Sequence, residues 1–214
     1  MEFARFLQPD IKAYIDGLSA HNDPVLHEME EVAEKCYFPI IGPVVGRFLF
    51  QTTLMQKAKR IFELGSGYGY STLWFAKAVQ QLGEGEIFHT DMDRKNTEQA
   101  RDYLTRAGVI QFVRFLVGDA IQSLRETPGP FELIYMDIDK DQYPLAFPVI
   151  REKLPPGGVL IVDNMLWFGR VMNQRDTSSA TAGIRRFTQE LWADKEFFTT
   201  LVPLRDGFTI SIRV

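Results

Sequence analysis

Five short apolar runs in this chain end in acidic or amide side chains, and those endings are where chemistry is expected. The first run, Arg60–Leu64, leads into Glu63-Leu-Gly-Ser-Gly-Tyr-Gly-Tyr-Ser71. Glycines at 65, 67 and 69 let a backbone turn sharply and approach a ligand with no Cβ in the way. The spacing is G-x-G-x-G rather than the dinucleotide pattern G-x-G-x-x-G, and Glu63 would repel a pyrophosphate while holding a cationic group. That points away from NAD and toward a ligand carrying positive charge. The second run, Glu86–Thr90, ends in Asp91-Met-Asp93, where Asp91 suits the hydroxyls of a ribose and Asp93 suits capping of a helix starting near Arg94. The third, Phe112–Val117, ends in Gly118-Asp119.

The last two runs carry a different kind of chemistry. Phe131–Met136 leads into Asp137-Ile-Asp-Lys-Asp141, and Gly158–Val162 into Asp163-Asn164. Asp137 and Asp163 are 26 residues apart, one strand–helix–strand unit. If the two strands are neighbours, their ends lie roughly 5 Å apart. Two carboxylates and an amide then surround one ion with oxygen, the donor set of a Mg²⁺-type site. Asp141, beside Tyr143-Pro144, reads as a cap or a solvated loop residue.

The elements that must position these groups follow from the rhythm of the sequence. Helix candidates at 71–82, 94–107, 119–126 and 141–153 separate the runs, which is the pattern of right-handed βαβ crossovers and a mainly parallel sheet. Gly108 falls where a helix end needs a left-handed residue, and Leu154-Pro-Pro-Gly-Gly is a turn. Phe197–Val202 and Phe208–Val214 are β-like, and Asp206-Gly207 between them signals an antiparallel C-terminal hairpin. Ahead of this region, residues 9–54 show helical periodicity. Asp23-Pro24 opens a helix, 38–46 interrupts the pattern, and Arg47–Lys57 resumes it. The expected fold is a doubly wound α/β sheet in one domain, 1–214, with a helical cap over 1–57 and a Rossmann-like core over 58–214.

Composition narrows the classes. The chain has 214 residues, of which 45% are hydrophobic and 24% charged, with a net charge of −4. That gives no blanket attraction to nucleic acid and room for a full core. One cysteine, Cys36, excludes a disulfide framework, and none of His21, His27 and His89 has metal-ligand spacing with another. The first residues lack the apolar stretch of a secretory signal, and no run of 18 apolar residues occurs. A soluble protein of the reducing cytoplasm is the expectation.

ELGSGYGYS (63–71), TDMD (90–93), MDIDKDQY (136–143) and VDNMLWFG (162–169), in this order and at these spacings, resemble the cation-dependent O-methyltransferases that use S-adenosylmethionine. These are the catechol and caffeoyl-CoA O-methyltransferase group. The likeness runs from about residue 38 to the end and includes DGFTI (206–210). It implies a class I methyltransferase sheet with S-adenosylmethionine held by Ile41, Glu63, Gly65, Ser66, Gly67, Gly69, Ser71, Asp91, Met92, Asp119, Ala120 and Asp137. Glu63 would face the methionine ammonium, Ser71 its carboxylate and Asp91 the ribose. Met92, Asp119 and Ala120 would line the adenine. Asp137, Asp163 and Asn164 would ligate the cation, with Mg²⁺ ahead of Mn²⁺ or Ca²⁺. Lys140 would be the general base for a small phenolic substrate held against Trp167 and Phe168, in a homodimer.

The loop Gly169–Ala180 shows no clear period, and with the two aromatics it should set substrate preference. A second reading keeps the chemistry and makes the acceptor a hydroxylated tRNA base, using Arg170, Arg175, Arg185 and Arg186. A third, a non-catalytic or redox nucleotide-binding module, is disfavoured because all three cation ligands are present.

Overall fold

The computed structural model describes residues 9–214; the reading of residues 1–18 as no secretory signal lies in part outside them. Three helices come first: α1 (Pro9–Leu18), α2 (Pro24–Cys36) and α3 (Gly42–Gln56). Asp23 caps α2, its side chain accepting from the N–H groups of Val25 and Leu26, with Pro24 at the first turn as the sequence predicts. The interruption after α2 is shorter than expected. Pro43 lacks the N–H that a helix start leaves unpaired anyway, so α3 begins at Gly42 rather than Arg47.

The core alternates as anticipated: β1 (Arg60–Leu64), α4 (Tyr70–Leu82), β2 (Glu86–Asp91), α5 (Arg94–Arg106), β3 (Val113–Val117), α6 (Ala120–Glu126), β4 (Leu133–Met136), α7 (Tyr143–Lys153) and β5 (Val159–Val162). The chain then runs through α8 (Ser179–Ala193), β6 (Phe197–Val202) and β7 (Phe208–Arg213). Strand order is β3-β2-β1-β4-β5-β7-β6, parallel through β5 and antiparallel at β5–β7 and β7–β6. The order reverses between β1 and β4, the place where such sheets open a ligand crevice.

Both faces of the sheet are covered, which explains the nearly continuous apolar runs. Along β4, Leu133 and Tyr135 pack with Leu49, Ile61 and Phe75 on one side. Ile134 and Met136 pack with Phe62, Leu160 and Phe187 on the other. No helix among the described residues is long and apolar enough to cross a membrane.

Helix α8 is the element the sequence reading missed. Ser178 caps it, accepting from Thr181 N–H, and Ile184, Phe187 and Leu191 form its buried stripe. That stripe is helical in period but short. Its consequence is local to the site, because Gly183 lies against the turn at Lys140–Gln142: a Cβ there would sit 2.3 Å from the Lys140 carbonyl oxygen and 2.6 Å from Asp141 Cα. Alanine would gain about 1 kcal/mol in helix propensity. The backbone clash costs roughly 1–3 kcal/mol. Gly183→Ala is therefore expected to lower the melting temperature and to lower turnover by shifting Lys140; a stabilised, fully active variant in thermal melts and rate assays would contradict this packing.

Candidate active site

A cavity of about 1540 Å³ opens at the carboxyl ends of the parallel strands. Ligand sites for one small molecule span ~300–1,000 Å³, so this one has room for two. Ile41, Gly65, Ser66, Gly67, Ser71, Asp91, Met92, Asp119 and Ala120 line it, and so do Asp137, Lys140, Asp163, Asn164, Trp167 and Phe168. Fifteen of the seventeen site residues expected from the sequence therefore lie in this wall.

Two expected wall residues stand behind it. Gly69 is needed for its backbone, with φ at +90°, and for the close pass of α5, where a Cβ would lie 2.8 Å from Ala100 Cβ. Glu63 is completely buried on β1 beneath the glycine loop. Its Oε2 accepts from Ser66 Oγ at 3.3 Å and from Thr72 Oγ1, while Oε1 has no hydrogen-bond partner. Burial lifts its pKa to about 7 against the pull of the Thr72, Ser71 and Ser66 hydroxyls. An unpaired carboxylate oxygen in such a place is costly unless a donor reaches it.

Beside it, the start of α4 carries no side-chain cap, so its first N–H groups are available to an anion. Asp91, at the end of β2, does more than await a ribose. Its Oδ2 accepts from Gly67 N–H at 2.9 Å, and its Oδ1 accepts from Asp93 N–H and Asn96 Nδ2. The loop is thus tied to β2, and Oδ2 retains a lone pair. Asp93 caps α5 through Lys95 N–H, as expected, and Asp119 caps α6 through Gln122 N–H.

The oxygen cluster forms because β4 and β5 are neighbours with Met136 opposite Val162. Asp163 is 7% exposed; it accepts from Asn164 N–H at 2.8 Å and from Tyr135 Oη at 3.4 Å. Burial, and then the charge of Asp137, push its pKa up to about 7. Lys140 Nζ donates to Asp137 Oδ1 at 2.7 Å and to the Ile138 carbonyl at 3.0 Å.

Asp206, which the sequence reading took as a hairpin signal, also lines the cavity. Because β7 runs antiparallel to β5, with Val162 opposite Thr209, the start of β7 returns to the carboxyl end of β5. Asp206 Oδ2 there accepts from Asn164 Nδ2 at 3.2 Å, which engages the amide nitrogen and leaves Oδ1 as the acceptor of that side chain. Asp206 Oδ1 accepts from Phe168 N–H at 2.6 Å. Asn164, Trp167 and Phe168 all have positive φ, between 47° and 54°. Such conformations cost ~1–3 kcal/mol each and persist where surroundings impose them. The bonds to Asp206 and Gly207, including Met165 N–H to the Gly207 carbonyl at 2.8 Å, impose this one. Three of the four arginines considered for a tRNA acceptor are occupied: Arg170 pairs with Asp176, Arg186 with Glu190, and Arg185 donates to the carbonyls of Val171, Asn173 and Asp176.

This sheet order, with a glycine loop after β1 and an acid after β2, defines a Rossmann-like methyltransferase. Residues 16–214 match the O-methyltransferase family. A catechol O-methyltransferase of Niastella koreensis is 30% identical over 210 residues, covering 93% of this chain and 94% of the relative. A caffeoyl-CoA O-methyltransferase of Populus kitakamiensis is 28% identical over 221 residues, covering 95% and 93%. The O-methyltransferase TomG from Streptomyces achromogenes, solved in complex with SAM, superposes with a TM-score of 0.87 at 26% identity, covering 100% of this chain and 99% of that one. The chain belongs to the O-methyltransferase family, as an S-adenosylmethionine-dependent enzyme of the catechol and caffeoyl-CoA type.

Proposed function

We propose that the protein transfers a methyl group from S-adenosylmethionine to one hydroxyl of a small vicinal-diol aromatic, using a divalent cation held by Asp137, Asp163 and Asn164. The observation that carries this reading is the cluster at the ends of β4 and β5. A buried carboxylate whose ionised form is opposed by burial and by Asp137, beside an amide whose nitrogen is engaged by Asp206 and whose oxygen is the acceptor left, is a donor set that suits a hard cation such as Mg²⁺. A bound divalent cation supplies Lewis acidity that lowers the pKa of a coordinated phenol.

The chain's own residues do the rest. Trp167 and Phe168, with ring centroids 5.7 Å apart, pack the aromatic acceptor. Lys140 Nζ, as the neutral amine, takes the proton from the hydroxyl and becomes the ammonium paired with Asp137. The phenolate oxygen attacks the sulfonium methyl in line, the C–S bond breaks, and S-adenosylhomocysteine leaves. Glu63 and the open start of α4 hold the ammonium and carboxylate of the methionine moiety, and Asp91 Oδ2 accepts from the ribose. Positioning of the two reactants is the main contribution. The reading includes a cytoplasmic homodimer, for which light scattering should give twice 24.6 kDa.

The test is methyl-labelled S-adenosylmethionine offered with vicinal-diol aromatics and with bulk tRNA, each in Mg²⁺ and in EDTA. Label should reach a catechol in Mg²⁺ only. Transfer that persists in EDTA would overturn the role of the cation, and salt-sensitive labelling of tRNA would replace the acceptor class.

Glu63→Gln keeps the shape of the side chain and removes its charge. Its affinity for S-adenosylmethionine should fall by roughly 1.5–3 kcal/mol in calorimetry, the worth of a hydrogen bond to a charged group. The wild-type affinity should itself weaken as pH drops below about 7, where Glu63 takes up a proton, and the variant's should stay flat across that window. Equal affinities at pH 8 would remove the ammonium from Glu63.

A further inference from the structure

Outside the oxygen cluster, three metal-ligating side chains converge where α1 passes into α2. The turn after α1 folds His21 back onto the first coils of α2, which His27 and Glu30 occupy. One ring nitrogen or carboxylate oxygen from each lies within 4.8 Å of the other two. The histidine spacing gives no hint of it, because the two are six positions apart and a turn, not a helix face, joins them.

The hydrogen bonds fix the tautomer of one ring. His27 Nε2 lies 2.6 Å from the His21 carbonyl oxygen, an acceptor, so Nε2 carries the proton and Nδ1 keeps its lone pair. That nitrogen is 3.8 Å from Glu30 Oε2, too long for a hydrogen bond and suited to two ligands flanking one ion. A backbone carbonyl holding the far N–H of a histidine is also the usual second-layer support of a metal ligand. His21 Nε2 stands 2.9 Å from Glu30 Oε1. Ligation through it gives up that contact and moves the ring proton to Nδ1, at the cost of the long 3.3 Å contact from Asp23 N–H. Side-chain exposures of 11% for His21, 26% for Glu30 and 52% for His27 leave one side open to water ligands.

We propose that His21, His27 and Glu30 form a second cation site, one that takes a zinc-class transition metal rather than Mg²⁺. Two imidazoles and one carboxylate prefer borderline ions, whereas the cluster of Asp137, Asp163 and Asn164 offers oxygen alone. The site is joined to the cavity wall. Glu30 Oε1 accepts from Tyr70 Oη at 2.5 Å, and Tyr70, which opens α4, lines the cavity beside Ser71. Lys12, Ile15 and Asp16 of α1 line the same cavity. An ion at this point clamps the α1–α2 turn and the start of α4 to each other.

The test uses the full chain carrying Cys36→Ser and Asp163→Asn, which removes the single thiol and disables the other cluster. Equilibrium dialysis against Zn²⁺, with Mg²⁺ in excess, should give one bound Zn²⁺ per chain. Adding His27→Gln, whose amide N–H still reaches the His21 carbonyl, should weaken binding by at least tenfold and abolish the rise in melting temperature caused by Zn²⁺. Zinc binding unchanged in both His27→Gln and His21→Gln overturns the site, and so does full displacement of the ion by Mg²⁺. These readouts do not involve methyl transfer, so they stand apart from the assignment of the acceptor.

Discussion

Asp163→Asn is expected to abolish methyl transfer to a catechol and, at the same time, to stabilise the ligand-free protein above neutral pH. The two effects share a cause. In the folded chain the Asp163 pKa is raised from 3.8 to about 7, so the native state binds a proton more tightly than the unfolded one. Its favourable contribution is therefore fully present below pH 3.8 and lost as pH rises through about 7. At pH 8 a buried charge opposes folding, and a neutral isostere removes that penalty, worth on the order of a few kcal/mol. The asparagine oxygen can still accept from Asn164 N–H. A melting temperature several degrees higher at pH 8, with little difference at pH 4, is the expected result.

The same substitution takes away a charged ligand of the cation. Loss of several kcal/mol of activation should reduce turnover by roughly 10³-fold or more, while affinity for S-adenosylmethionine stays near wild type. Wild-type turnover in EDTA, or an active Asp163→Asn enzyme, would sink the cation-dependent mechanism.

Lys140→Ala should lower turnover by about 10²–10⁴-fold, the range for loss of a general base. Part of that loss should return at higher pH, where more of the catechol is already ionised. Lys140→Arg is the sharper variant. A guanidinium can still pair with Asp137, to which Lys140 Nζ donates at 2.7 Å, but unlike an amine it does not give up its proton and cannot accept one from the substrate. An arginine variant with full activity at neutral pH would leave the cation site standing and reduce Lys140 to a group that positions Asp137. Rate against pH at saturating Mg²⁺ separates the two outcomes.

The sequence by itself determined what local periodicity and local chemistry can carry. Apolar runs placed the five parallel strands to within a residue or two, and Asp23 and Asp93 cap the helices they precede. The acids and amide at the strand ends share one cavity because parallel strands all point their carboxyl ends the same way. Tertiary structure alone decided which of these groups form the cavity surface and what holds them. Glu63 and Gly69 sit in the same motif as Gly65 and Gly67, yet the packing of α4 and α5 puts them behind the wall. Asp206 meets Asn164 across 42 residues only because β7 lies antiparallel to β5 in one register. Gly183 meets Lys140 across a similar gap, through a helix whose short stripe did not stand out from its loop. His27 and Glu30 are one helical turn apart on α2, but His21 reaches them only through a turn that follows no helical or strand period. Periodicity reports which face of an element is buried. Which residues from distant elements touch depends on register and packing angle, and those are set by the whole core at once.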